Sequence, residues 1–130
     1  MPGVDDVVTG PARAAAMQLL VDYARLLDYL DADAWSLLFG ADGVMAVGTR
    51  EISGRSQLKT FAEQSTRGVH VCGAPDLRLH GNGQISALSS FIFMASTGGT
   101  TNAGWYTDTL TPQADGYVFA RRFVDVRARS

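Results

Sequence analysis

Two residues in this chain of 130 are separate candidates for proton chemistry, His70 by its type and Asp28 by its placement. Histidine is the side chain whose ordinary pKa allows it to accept or give up a proton near neutrality. A carboxylate on one ring nitrogen orients the other toward a substrate, which is the logic of a two-member acid/base dyad. Asp28 stands out from its surroundings. The stretch YARLLDYLDADAWSLLF, Tyr23 to Phe39, reads as the end of one helix, a tight corner and a second short helix. At about 100° per residue, Gln18, Asp22, Arg25 and Tyr29 form a polar stripe on the first helix. Leu19, Leu20, Tyr23, Leu26, Leu27 and Leu30 cover the opposite side. Asp28 belongs to neither group and shares a row with Met17, Val21 and Ala24. It also sits in the last helical turn, where the helix dipole disfavours negative charge. Such local conflicts cluster at functional sites. The competing reading is that Asp28 caps the corner or reaches water at the edge of the stripe. For His70 it is a ring that hydrogen-bonds backbone at a strand start.

A second group lies further on. Strand side chains alternate, so Asn102, Gly104, Tyr106 and Asp108 share one face, and Trp105, Thr107 and Thr109 the other. Gly104 removes a side chain in mid-strand, where something approaches closely. Asn102, Tyr106 and Asp108 around that gap would suit an oxygen-bearing ligand. Alternatively, Asp108 pairs with Arg121 or Arg122 on the next strand. Cys72, on the face of His70, reads as a buried inert thiol, and His80, in a Gly-rich hairpin, as solvent-exposed. Two His and one Cys without ligand spacing indicate no metal. No Gly-rich loop follows a strand as a phosphate site requires. No cofactor is expected.

The length fits one domain, and 46% hydrophobic residues suffice for a real core. A net charge of −2 without a basic cluster before the last residues argues against nucleic acid or an anionic membrane as partner. A single cysteine excludes an internal disulfide and fits a reducing compartment. No apolar run approaches the ~20 residues of a membrane span. The acidic start MPGVDDVVTG has no signal-peptide core. The expected location is the cytoplasm.

The elements that must position these residues follow from periodicity and turn chemistry. Residues 1–10 read as a flexible leader and 11–130 as one domain. Pro11 opens a helix that runs to about Leu30. Asp31 caps a second helix, which buries Trp35, Leu38 and Phe39 and stops at Gly40. Ala41-Asp42-Gly43 is a turn, Val44 to Gly48 a short strand, and Arg55 to Thr66 a third helix with Leu58, Phe61 and Ala62 inward. After Gly68 the period changes to two. Four extended segments follow: Val69 to Leu79, Gln84 to Thr97, Thr101 to Thr111 and Gly116 to Arg127. Short turns between them predict an antiparallel meander, kinked or at an edge where Pro75 falls. Helices on one side of such a sheet make an α+β fold with a cavity at its open end.

This order resembles the SnoaL-like branch of the nuclear transport factor 2-like superfamily, which includes polyketide cyclases, scytalone dehydratase, ketosteroid isomerase and small subunits of ring-hydroxylating dioxygenases. The resemblance covers about Ala12 to Arg127. It is carried by Tyr23-Ala-Arg-Leu-Leu-Asp28, Trp35 and Phe39 with Asp42, Gly54, Arg67-Gly-Val-His70, Gly104-Trp-Tyr106-Thr-Asp108, Asp115-Gly116 and Arg121-Arg122. It implies a cone of three N-terminal helices on a strongly curved, mostly antiparallel sheet, enclosing an apolar pocket. Asp28 and His70 match the pocket Asp and His of scytalone-dehydratase-like members, whose second pocket His has no counterpart: the matching strand reads Phe93-Met94-Ala95. Against ketosteroid isomerase, Tyr23 matches the oxyanion-hole Tyr and Asp108 the protonated Asp, but the base would fall near Val47. The implied activity is a lyase, isomerase or cyclase that transfers protons on a polyketide-, terpenoid- or steroid-like substrate. The alternative is a non-catalytic ligand-binding or structural subunit. Catalytic roles are expected for Asp28 and His70, and substrate contacts for Tyr23, Trp35, Met94, Asn102, Tyr106 and Asp108. Trp105 and its neighbours on the outer sheet face are expected to make a homodimer.

Overall fold

A computed structural model describes residues 6–130; residues 1–5, half of the expected leader, lie outside the described residues. In chain order the elements are β1 (Asp6–Val7), α1 (Gly10–Asp28), α2 (Ala32–Ser36), β2 (Phe39–Val47), β3 (Arg50–Ser53), α3 (Arg55–Glu63), β4 (Gly68–Cys72), β5 (Asp76–Leu79), β6 (Ile85–Ala95), β7 (Thr101–Gln113) and β8 (Gly116–Arg129). The second half of the leader is part of the fold: Asp6 and Val7 pair with Leu79 and Arg78, and Val8 is buried.

α1 buries Ala16, Leu19, Tyr23 and Leu27, the helical spacing of the apolar side. Its end is sharply defined. Leu30 takes a left-handed φ of 59°, its N–H returns to Leu27, and the Asp31 N–H reaches back to Leu26. This closes the last turn as a Schellman-type stop. A branched residue in that region costs roughly 1–2 kcal/mol, so packing at the corner must enforce it. Asp31 then caps α2, accepting from the Ala34 N–H at 3.1 Å. α2 is shorter than the sequence suggested. The chain enters β2 already at Phe39, and the expected turn at Ala41-Asp42-Gly43 is a register irregularity within that strand.

The sheet runs β1-β5-β6-β7-β8-β2-β3, with β4 on β6 beside β5. Every pairing is antiparallel except β2 on β8. The first long segment is two strands, β4 and β5, broken at Gly73-Ala74-Pro75 and both laid on β6. β7 and β8 run past their expected ends and meet in a two-residue turn, with Gln113 paired to Gly116. Strands of 11 to 14 residues in β6, β7 and β8 carry enough twist to curl around the helices. At Gly104 an added Cβ would collide with the Asp125 carbonyl of β8. The close approach predicted there is real, but strand backbone at a bulge makes it, and not a ligand.

Trp35, Phe39, Leu58, Met45 and Phe119 fill the space between helices and concave face, all without solvent contact. Each such side chain removed from water contributes roughly 1.5–3 kcal/mol. On the convex face, Val69, Val71, Leu88, Ile92, Met94 and Trp105 are 43% to 56% exposed. No helix among the described residues is long and apolar enough to cross a membrane.

Candidate active site

The corner after α1 and the start of β4 bring Asp28 and His70 together across 42 positions of sequence. Asp28 Oδ1 lies 2.6 Å from His70 Nδ1, and Oδ2 accepts the His70 backbone N–H at 2.8 Å. The side chains are 17% and 11% exposed. Asp28 therefore does not cap the corner, which Asp31 does. An ionised carboxylate only accepts, so Nδ1 is the donor in this contact, and in the neutral form of the ring the lone pair lies on Nε2. The second bond, to backbone, holds the carboxylate itself in place.

Two cavities meet at His70 and Tyr106, the residues that line both. The first, of about 200 Å³, lies between α1, α3 and the concave sheet, walled by Leu27, Phe61, Phe91, Phe93 and Val126. Tyr23, Asn102, Ser65, Thr66 and Arg129 supply its polar groups. The second, of about 410 Å³, lies between α1 and the break at Gly73-Ala74-Pro75. Met17, Val21, Ala24 and Asp28 line it together, so the odd row on α1 faces a cavity.

The tyrosines are buried donors. The Tyr23 hydroxyl donates to Met45 Sδ at 3.4 Å, a weak acceptor. Burial raises the pKa of Tyr23, and that of Tyr106 well above the ordinary value, so both are neutral hydroxyls near pH 7. Between them lies Arg122, 1% exposed, with its guanidinium 3.7 Å from the Tyr106 ring centre and 4.2 Å from that of Tyr23. It donates to both Asp108 oxygens, at 2.7 and 2.8 Å. Burial raises the Asp108 carboxyl, against the pull of Arg122. Burial also works against the guanidinium charge, but Asp108 outweighs it and holds Arg122 protonated beyond its ordinary range. The two-pronged geometry is that of an ionised pair.

The structure thus brings Asp28, His70, Tyr23, Asn102 and Tyr106 to one place, and leaves three expected substrate contacts out. Asp108 is consumed by Arg122 and lines neither cavity. Trp35 is fully buried, tilted against Phe39 at 5.2 Å and stacked on Phe61 at 6.0 Å, so it supports the wall from behind. Met94 is 51% exposed on the convex face, because alternation along β6 turns it away from Phe91 and Phe93. The same alternation, applied strictly to the sequence, would have separated them. Cys72 is exposed, not buried, and lines the second cavity. His80 is half-buried against Ser86. Ser65, Thr66 and Arg129 were not anticipated: they stand at element ends, where periodicity is silent. Among the described residues no three His, Cys, Asp or Glu gather as metal ligands would.

A family profile described as SnoaL-like domain matches residues 9–123. No curated protein matches the chain significantly. Among solved structures, a protein of unknown function from Mycobacterium tuberculosis is 21% identical, with a TM-score of 0.81 over 88% of this chain and 71% of that one. A scytalone dehydratase-like protein from Novosphingobium aromaticivorans is 17% identical, with a TM-score of 0.80 over 91% and 85%. A beta subunit of aromatic-ring-hydroxylating dioxygenase type from the same organism is 20% identical, with a TM-score of 0.76 over 90% of each chain. At these identities the likeness establishes the fold alone.

Proposed function

The chain belongs to the SnoaL-like domain family, and from that premise we propose that it is a lyase, isomerase or cyclase that works by acid/base proton transfer on an apolar, oxygenated small molecule. The observation that carries this reading is the pair of hydrogen bonds between His70 and the Asp28 carboxylate at the edge of an apolar cavity. His70 Nε2 removes a proton from carbon next to a carbonyl, and the electron pair moves onto the carbonyl oxygen. The hydroxyls of Tyr106 and Tyr23 are the donors for that oxygen. One preorganised donor is worth about 3 kcal/mol, and positioned acid/base catalysis roughly 3–5 kcal/mol. The protonated His70 then returns its proton to carbon, giving isomerisation; to the alkoxide left when the enolate carbon attacks a second carbonyl of the same molecule, giving ring closure; or to a departing hydroxyl, giving loss of water. The scytalone dehydratase-like neighbour supports the last outcome.

The alternative is a ligand-binding or structural subunit without catalysis, which the dioxygenase-type beta subunit among the neighbours supports. In either case the apolar convex face is the surface for a second copy of the chain, and the reducing location suggested by the single cysteine is the cytoplasm. Proton NMR in deuterium oxide separates the readings. α-Proton exchange is followed for a panel of aryl ketones and cyclic diketones, with His70→Gln as control. Exchange by the parent and not by the variant, with ligand-induced shifts kept in both, supports the enzyme. Ligand shifts without exchange in any member of the panel favour the carrier.

A further inference from the structure

Strand register places four residues in one straight row on the concave face. His70 of β4 pairs with Phe93 of β6, Phe93 with Asn102 of β7, and Asn102 with Arg129 of β8. Directly opposed residues project to the same side of a sheet, and all four line the first cavity. The row begins with the proton-transfer group, continues over an aromatic ring and ends in an amide and a guanidinium. Asn102 Oδ1 is buried without a hydrogen-bond partner. Arg129 has no ion pair among the described residues. A buried acceptor left unmatched is costly, and the residue opposite it in register is an exposed arginine at the rim of the same cavity.

We propose that this row selects ligands carrying a carboxylate with an adjacent hydroxyl at the end remote from the reacting carbon. The anion meets Arg129 and the hydroxyl donates to Asn102 Oδ1. The apolar body lies over Phe93, and the opposite end reaches His70. Neighbouring strands stand about 4.8 Å apart, so the polar end and the reacting end are separated by roughly 10–14 Å. That is the span of two to three fused rings or an extended chain of similar length. This inference rests on the first cavity being the ligand site.

The test is binding, so that it does not depend on turnover. Fluorescence titration compares 3-hydroxy-2-naphthoate with its methyl ester and with 2-naphthoate, on the parent and on Arg129→Gln, Asn102→Leu and His70→Gln. The acid should bind the parent about three- to tenfold tighter than the ester, the lower value allowing for solvent at the mouth, and raised salt should narrow the gap. Arg129→Gln should bring acid and ester together. Asn102→Leu should remove the preference for the hydroxylated acid over 2-naphthoate, and His70→Gln should change neither ratio. Equal binding of acid and ester to the parent, or a preference that survives Arg129→Gln, overturns the inference and leaves the ligand site standing. If neither acid nor ester binds, both fall.

Discussion

Both oxygens of the Asp28 carboxylate are committed to one residue: Oδ1 to the ring of His70 at 2.6 Å, and Oδ2 to its backbone N–H at 2.8 Å. The consequence for Asp28→Asn is specific. The amide oxygen must stay on the backbone N–H, so its NH₂ turns toward Nδ1. That forces the proton to Nε2 and removes the lone pair that would take a proton from substrate. The rate of α-proton exchange should fall by a large part of the roughly 10²–10⁴-fold that positioned acid/base catalysis supplies, with binding intact and the fold unchanged by circular dichroism. An Asp28→Asn protein that works at the parent rate would sink the dyad. Asp28→Ala should in addition cost about 1–3 kcal/mol in denaturant unfolding, because a half-buried N–H loses its partner.

The Asp108–Arg122 pair is a structural charge pair, with side chains 0% and 2% exposed. Asp108→Asn leaves a buried guanidinium uncompensated. It should cost about 3–5 kcal/mol, lowering the thermal midpoint by about 10 °C or more. Replacing both, as Asp108→Leu with Arg122→Met, should recover most of the loss. Calorimetry of the single and double variants checks this, and a double variant no better than the single contradicts it.

Cys72 tests the electrostatics of the second cavity. Burial raises its thiol pKa, partly opposed by Arg122. The folded thiol therefore keeps its proton to higher pH than the unfolded one, and its contribution to stability is present at low pH and lost as pH rises through the thiol range. Alkylation by iodoacetamide, followed against pH, should show a midpoint above that of the urea-unfolded chain, despite the exposure of the residue. A folded midpoint at or below the unfolded one would show that Arg122 dominates.

The convex face predicts its own occupant. Trp105, Ile92, Val71 and Met94 form one exposed apolar patch across β4, β6 and β7, and a second copy of the same face would cover it. Sedimentation at micromolar concentration should give a dimer for the parent and a monomer for Trp105→Glu, with similar melting of secondary structure. A monomeric parent removes the dimer and leaves the fold untouched.

By itself the sequence determined what depends on near neighbours. The shift from a period of 3.6 to 2, the cap at Asp31, the hairpin turns and the alternation that sets Tyr106 inward and Trp105 outward are all local properties. So was the anomaly of Asp28, a carboxylate off the polar stripe at a helix end. Its partner was named from the resemblance, and the structure supplies the contact. What only the tertiary structure decided are relations set by register between distant strands. Asp108 shows why. Counted back from the turn pair Gln113 and Gly116, an unbroken ladder would set Asp108 opposite Arg121. The bulge between Thr109 and Leu110 takes up one residue of β8 and sets it opposite Arg122. Side chains alternate, so that one extra residue sends Arg122 into the core, between Tyr23 and Tyr106, and leaves Arg121 outside on Glu51. β8 also lies parallel to β2, with Arg122 beside Met45, a pairing that no hairpin dictates. The chemistry of each side chain is written in its type, but which face it serves follows from packing that closes only when the whole sheet has formed.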